Sequence, residues 1–327
     1  MKAIVYHRYG DPSVLSVEEM EKPQPKPDEL LIKVKAVEAT KSDCEMRSFK
    51  FAVKWFWLPL RLAFGVFKPR RPVLGSYFSG EVESVGNEVR DYKPGQQIFG
   101  CCGMKFGAYA EYICLPANYV LATKPVNISF EQAAVIPLGG LNALHFMRRA
   151  NIQKGDKVLI NGAGGSIGTF GLQIAKSMGA EVTVIDSGIK EAMLRRIGAD
   201  HFIDYSKQSF AEKQQYYDVV FDMVAKSCYS DCINVLKPAG RYLTANPTLL
   251  RMIRSMVTSK LSDKKAMVAF APETKEALVA LKKMVESGAL IPEVDKTFTM
   301  EQAAEAHRLV DTEQRLGTIV IWIVGQK

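Results

Sequence analysis

The sequence predicts an α/β chain in two parts: a compact β-barrel-like unit, then a doubly wound parallel sheet. Three observations carry that expectation. Short alternating strands crowd the first 120 or so residues. From Ser129 onward strands and helices take turns. Between Asn161 and Asp186 the chain runs strand, glycine-rich turn, amphipathic helix, strand and terminal acid, the order that a dinucleotide requires. A length of 327 residues leaves room for two full cores.

Residues 1–5 enter a strand directly, and 14–18 and 29–37 alternate as strands around the turn-rich Pro23-Gln24-Pro25-Lys26-Pro27. A strand pair is expected to bracket 80–86. Lys93-Pro94-Gly95 turns the chain into a strand at 97–99, and 108–115 supplies another. Ser129-Phe130-Glu131-Gln132 reads as a capping box ahead of an apolar helix. Residues 157–160, 181–185, 201–205, 217–224, 240–244 and 266–270 form the six strands of the second unit. Helices at 274–287 and 300–311 follow. The closing strand, 318–323, is expected to return to the first unit, which makes that unit discontinuous.

The turn Gly162-Ala163-Gly164-Gly165-Ser166-Ile167-Gly168 is where chemistry is expected. Glycine accepts backbone angles closed to other residues. Bare backbone N–H groups and the positive end of the following helix suit a diphosphate. Gly168 and Gly171 let that helix approach its strand. Asp186 lies about 18 residues beyond Gly168, where a carboxylate accepts hydrogen bonds from a ribose. Ser187 and Lys190 stand close enough to help bind a phosphate. Tyr205 closes the third strand, and Asp222-Met223-Val224 and Thr244-Ala245-Asn246 end the fourth and fifth, where doubly wound sheets bind ligands. The competing reading is a βαβ unit with a tight turn and no ligand.

The net charge of +8 is scattered, without a long basic run or a nucleic-acid motif. It reads as solvated surface with a bias toward anionic ligands, and no nucleic-acid partner is expected. Six cysteines show no disulfide-scaffold spacing. The first residues lack a signal-peptide layout, so a cytoplasmic setting is the default expectation. Residues 49–67 hold Trp55, Phe56, Trp57, Leu58, Leu60, Leu62, Phe64, Val66 and Phe67, interrupted by Lys50, Lys54, Pro59 and Arg61. The interruptions argue against a spanning helix. The segment reads as a lid packed on the protein's own core or lining a cleft, with contact to a membrane surface as the alternative.

Taken together these stretches are recognisable. Residues 1–5, Pro72-Val73-Leu74-Gly75, 79–86, 93–100, 106–112, 137–144, 161–176 and Ile197-Gly198-Ala199-Asp200 match in order. The chain resembles the medium-chain dehydrogenase/reductase superfamily, in its zinc-free quinone-oxidoreductase-like branch. The resemblance implies a GroES-like β-barrel domain, 1–124 completed by 273–327, beside a Rossmann domain, 125–272, with the active site in the cleft between them. Where zinc-dependent relatives hold the metal, this chain has Thr40 and the pair Ser76-Tyr77. Hydroxyls are poor Zn²⁺ ligands, so no metal is expected.

Without a Lewis acid an unactivated alcohol is hard to oxidise, whereas a quinone or α,β-unsaturated carbonyl delocalises the charge that arrives with hydride. The resemblance therefore implies a zinc-independent, NAD(P)H-dependent reductase of a small lipophilic quinone or enone. The alternative is an NAD(P)H-binding redox sensor or scaffold with little turnover. Thr40, Asp43 and Tyr77 are the implied catalytic residues. Asn142, Gly162, Gly164, Gly165, Ser166, Ile167, Gly168, Asp186, Ser187, Lys190, Tyr205, Val224, Thr244 and Asn246 are the expected cofactor contacts. Asp186 leans the cofactor toward NAD(H), since a carboxylate repels a 2′-phosphate. Relatives that pair edge strands imply a homodimer.

Overall fold

The computed structural model describes all residues except Ala52, Trp55, Phe56, Lys213, Asn246, Pro247 and 324–327. The N-terminal unit runs β1 (Lys2–Val5), β2 (Ser16–Glu19), β3 (Glu29–Ala39), α1 (Lys41–Ser48), α2 (Trp57–Phe64), β4 (Tyr77–Val85), β5 (Gln97–Cys101), β6 (Tyr112–Pro116) and β7 (Leu121–Thr123). β1 and β2 form a small antiparallel ribbon. β3 is long and almost wholly buried, and it pairs antiparallel with both β4 and β6. Residues 80–86, expected between two strands, lie mostly within the single strand β4, which pairs with β3 on one side and β5 on the other. Gly80 permits this, because a Cβ there would sit 2.4 Å from the Lys33 carbonyl oxygen.

Two helices, α3 (Phe130–Ala134) and α4 (Ile136–Ala150), lead into the parallel sheet. Ser129 and Gln132 cap α3 reciprocally, as their spacing predicts. The sheet is then built from β8 (Lys157–Asn161), α5 (Ser166–Ser177), β9 (Glu181–Asp186), α6 (Glu191–Arg196), β10 (His201–Asp204), β11 (Tyr217–Asp222), α7 (Tyr229–Asn234), β12 (Leu236–Thr244), α8 (Leu249–Leu261) and β13 (Lys265–Val268). All neighbours are parallel, in the order β10-β9-β8-β11-β12-β13. The order reverses between β8 and β11, and in sheets of this kind ligands bind at that switch point, beyond the carboxyl ends of the strands.

α9 (Lys275–Glu286), β14 (Val294–Phe298), α10 (Ala303–Thr312) and β15 (Thr318–Trp322) complete the chain. β15 inserts between β14 and β3, so the closing strand joins the first unit's sheet as expected. α9 does not go with it. Leu278, Leu281 and Val285 join the core that α4, α5 and β8 share. The amphipathic face of α9 finds apolar surface on α4, so the return to the first unit begins at β14.

The segment 49–67 departs from its expected inward packing. Phe49, Val53 and Phe64 are buried, and the Arg61 guanidinium lies over the Tyr9 and Phe49 rings at 4.1 and 4.5 Å. Trp57, Leu58, Leu62, Val66 and Phe67 face outward, Phe67 with 91% of its surface exposed. Trp55 and Phe56 lie outside the described residues. Among the described residues no helix is long and apolar enough to cross a membrane.

Candidate active site

The glycine turn joins β8 to α5. Gly162 holds φ +84°, a conformation that a side chain would strain, and its N–H and that of Ala163 bond to the Ile185 carbonyl. A Cβ on Gly168 would stand 2.5 Å from the Ala163 carbonyl oxygen, so only glycine brings the helix this close to the turn. Gly171, expected to matter equally, would place a Cβ at an ordinary 3.5 Å from Phe221. α5 has no side-chain cap at Gly165; α4, α6, α7 and α10 also lack one, but only α5 starts from a run of glycines at the carboxyl end of a central strand. The Ser166 hydroxyl at its first turn is buried beside the Glu38 carboxyl, with no hydrogen bond of ordinary geometry to it. An uncapped helix start, bare glycines and an orphaned hydroxyl together fit the diphosphate of a dinucleotide.

The carboxyl ends of the strands meet here in register. Asn161 of β8 pairs with Asp222 of β11, and Asp222 pairs with Thr244 of β12. Val224 packs against the turn, its Cγ2 3.1 Å from where a Gly162 Cβ would be. Thr244 is buried at the end of its strand. Tyr205 follows β10 as an exposed side chain, its N–H 3.3 Å from the Asp186 carbonyl. Ile167 is half-buried at the start of α5. Asn142 lies on α4 and donates to the Leu138 carbonyl at 2.9 Å, within its own helix. Asn246 lies outside the described residues.

Asp186 is placed as its spacing predicts, but its charge is not free. One carboxylate oxygen accepts the Gly164 N–H at 2.7 Å; the other accepts the Ser187 N–H at 2.8 Å and meets the Lys190 ammonium at 3.0 Å. Lys190 is buried alongside it and lies across Gly164. The expected repulsion of a 2′-phosphate is therefore weakened: the anion already has its counter-charge. Lys190 follows the acid at i+4, a spacing visible in the sequence.

On the other wall of the cleft, Thr40 and Asp43 form the capping box of α1. The Thr40 hydroxyl donates to the Asp43 carboxylate at 2.6 Å and accepts from the Asp43 N–H at 3.0 Å, while the Gly75 N–H donates to the other Asp43 oxygen at 3.1 Å. Both residues are buried. Burial pushes the Asp43 carboxyl up to about 6, against the pull of those hydrogen bonds. Asp43 thus ties α1 to the Gly75 turn and, fully enclosed, has no surface for a ligand.

Tyr77 stands one strand away and is partly buried. Its hydroxyl donates to the Glu273 carboxylate at 2.9 Å, bridging the two units. Burial of the hydroxyl, with the nearby Glu273 charge, raises the phenol well above its ordinary value, so it keeps its proton at neutral pH. Glu273 carries no sequence signal, being one acid in a polar linker.

Two further charged groups escaped the sequence. Glu38 is buried in β3, both oxygens without a hydrogen-bond partner, facing Ser166 and Arg315. An acid set among Ala36, Val37 and Ala39 at the end of β3 was the available signal. Arg251 of α8 donates to Asp222 at 3.0 Å and to the carbonyls of Val224, Ala225 and Ser227, which fixes the loop beyond β11.

Thr40, Ser76 and Tyr77 offer hydroxyls only, and among the described residues no three His, Cys, Asp or Glu side chains converge on one point. These residues do not fit Zn²⁺. All six cysteines are free; five are buried and Cys228 is exposed.

Comparison with known proteins gives a consistent picture. The alcohol dehydrogenase GroES-like domain family matches residues 26–125, and the zinc-binding dehydrogenase family matches 197–321. A chloroplastic NADPH-dependent alkenal/one oxidoreductase of Arabidopsis thaliana is 31% identical over 98% of this chain and 79% of its own. A quinone oxidoreductase of Pseudomonas aeruginosa is 28% identical over 98% and 99%. Among solved structures, the quinone oxidoreductase of Coxiella burnetii superposes with a TM-score of 0.87 at 29% identity, covering 99% of both chains.

Proposed function

Since the chain belongs to the medium-chain dehydrogenase/reductase superfamily, in its quinone-oxidoreductase-like branch, we propose that it reduces a small quinone or α,β-unsaturated carbonyl with NAD(P)H and without zinc. The observation that carries this reading is the pairing of an uncapped, glycine-lined helix start with a facing wall of hydroxyls in place of metal ligands. The N–H groups of Gly165, Ser166 and Ile167 would hold the diphosphate, with Gly162, Gly164 and Gly168 shaping the turn. Asp186, Ser187, Lys190 and Tyr205 would take the adenosine end, and Asn142, Val224 and Thr244 the nicotinamide end. When bound, the reduced nicotinamide supplies the hydride.

The chain's own residues position and protonate. Reduction of an enone puts negative charge on its carbonyl oxygen, and a neutral donor aimed at that oxygen lowers the barrier. Tyr77 is the donor that we assign: it keeps its proton, and its hydroxyl turns from Glu273 to the substrate oxygen. Thr40 and Asp43 act by fixing the loop between β3 and α1. Because Lys190 can leave Asp186 for a 2′-phosphate, NADPH is accepted alongside NADH. A homodimer forms through the unpaired edge of β13, which carries the outward apolar residues Leu250, Ile253 and Val257 of the adjoining α8.

The test is oxidation of NADPH and NADH by a panel of quinones and enones after exhaustive chelation. Turnover that survives chelation is expected. Tight nucleotide binding with no oxidation by any acceptor overturns the enzymatic reading. Sedimentation of wild type against Val257→Glu checks the dimer.

A further inference from the structure

The sequence is free of acids from Met46 to Gly80 and within that span carries Arg47, Lys50, Lys54, Arg61, Lys68, Arg70 and Arg71. The structure sorts these residues. Arg47 is buried and Arg61 is held over the Tyr9 and Phe49 rings, so both serve to fasten the segment. Phe64 leans on Phe106 at 5.5 Å between ring centres, and the Tyr9 hydroxyl donates to the Gly65 carbonyl at 2.9 Å. α2 is thereby pinned by one face. Its other face presents Trp57, Leu58 and Leu62, which the following turn extends with Val66 and Phe67 and the neighbouring Met104 adds to. Lys50, Lys54, Lys68, Arg70 and Arg71 are all exposed around this ridge.

We propose that this ridge docks the protein on an anionic lipid bilayer, with Trp57, Leu58, Leu62 and Phe67 entering the interface and the five exposed cations meeting the headgroups. An exposed aromatic at 91% accessibility is costly in water and favourable at a bilayer surface. The charge is complementary along the whole segment, with no acid to oppose it. Long basic side chains beside an apolar ridge reach up to headgroups while their stems stay apolar. The helix is too short to span, so it lies in the surface plane. The inference rests on the proposed function only in explaining the use of such docking: a lipophilic quinone or enone partitions into the same membrane.

The test is co-sedimentation of the full chain with vesicles of phosphatidylcholine alone or mixed with phosphatidylglycerol, at low and high salt. The wild type should pellet with the anionic vesicles and retain part of that binding at high salt, because apolar insertion is not screened. The triple variant Leu58→Ser, Leu62→Ser, Phe67→Ser should lose the salt-resistant part. The triple variant Lys50→Glu, Lys54→Glu, Lys68→Glu should weaken low-salt binding by roughly tenfold or more. Both variants should keep nucleotide binding and turnover of a water-soluble quinone, which shows that they are folded. A wild type that stays in the supernatant overturns the proposal. So does binding indifferent to both variants, or a wild-type dimer that the apolar variant converts to monomer, which makes a second copy the occupant. Pelleting without any turnover leaves docking standing and removes the function reading instead.

Discussion

At the scale of single residues, Asp186 shows what spacing reveals and what it hides. Its position after the turn follows from the length of one helix and one strand, so it is legible. Its electrostatic state depends on Lys190 folding back over Gly164. Asp186→Asn keeps an acceptor for the Gly164 N–H and frees the ammonium. NADPH should then bind roughly fivefold tighter, and NADH about as before, on the strength of one unpaired cation near a phosphate; fluorescence titration of both nucleotides decides it, and equal changes exclude Lys190 as the phosphate partner. Glu38 makes a second case. Burial pushes its carboxyl up to about 8, with Asp43 adding to the rise while Ser166 and Arg315 oppose it. The folded chain therefore keeps a proton that the unfolded chain releases above its ordinary value of 4.5. Stability should fall as pH climbs from that value toward 8, by at most about 1.4 kcal/mol per unit. Urea midpoints of Glu38→Gln should vary less than those of wild type between about pH 5 and pH 8; identical slopes would remove Glu38 as their source.

At the scale of elements, legibility follows the range of the forces. β8, the turn, α5 and β9 lie within 30 consecutive residues, and their demands on φ, spacing and period are local, so each is read directly. α2 is read as apolar but not as outward-facing, because its orientation is decided by Arg61 choosing the distant Tyr9 ring. α8 inverts the usual pattern: Arg251 and Ser255 face inward and its apolar residues outward. Its attachment is polar, through Arg251 to the fully buried Asp222, which also accepts from Tyr242 at 3.0 Å and Asn161 at 3.0 Å. Arg251→Met should cost about 3–5 kcal/mol, since it leaves a buried carboxylate without its cation. Adding Asp222→Asn should recover much of that loss. Urea unfolding of the two singles and the double measures the coupling. Additive losses would mean that the pair is not a unit, and that α8 is held by its contact with β13.

For the whole molecule, the discontinuous first unit was foreseeable from a last strand with no partner nearby, but the groups that close it were not. Glu273 and Tyr77 meet across 196 residues, and Arg47 and His307 across 260. No local pattern encodes such distances. His307 is the centre of the larger closure. It is buried, with Arg47 Nη1 2.9 Å from its Nδ1 and the Tyr109 hydroxyl 3.0 Å from its Nε2, while Arg47 also bonds Asp311 at 2.8 Å. The first helix, the middle of the barrel and the last helix are thus tied at one imidazole. Burial and the Arg47 charge press that ring down to about 3, so it stays neutral as an acceptor. The unfolded chain binds a proton at the ordinary value of 6.5, and the folded chain refuses it. Stability from this source is therefore complete above that value and drains as pH falls toward 3, by up to about 1.4 kcal/mol per unit. His307→Gln should lower the urea midpoint at neutral pH, because it breaks the closure, yet lose less than wild type on acidification to about pH 4.5. If the variant and the wild type lose stability in parallel over that range, the acid sensitivity lies with the carboxylates of the surface ion pairs, and the closure holds by packing alone.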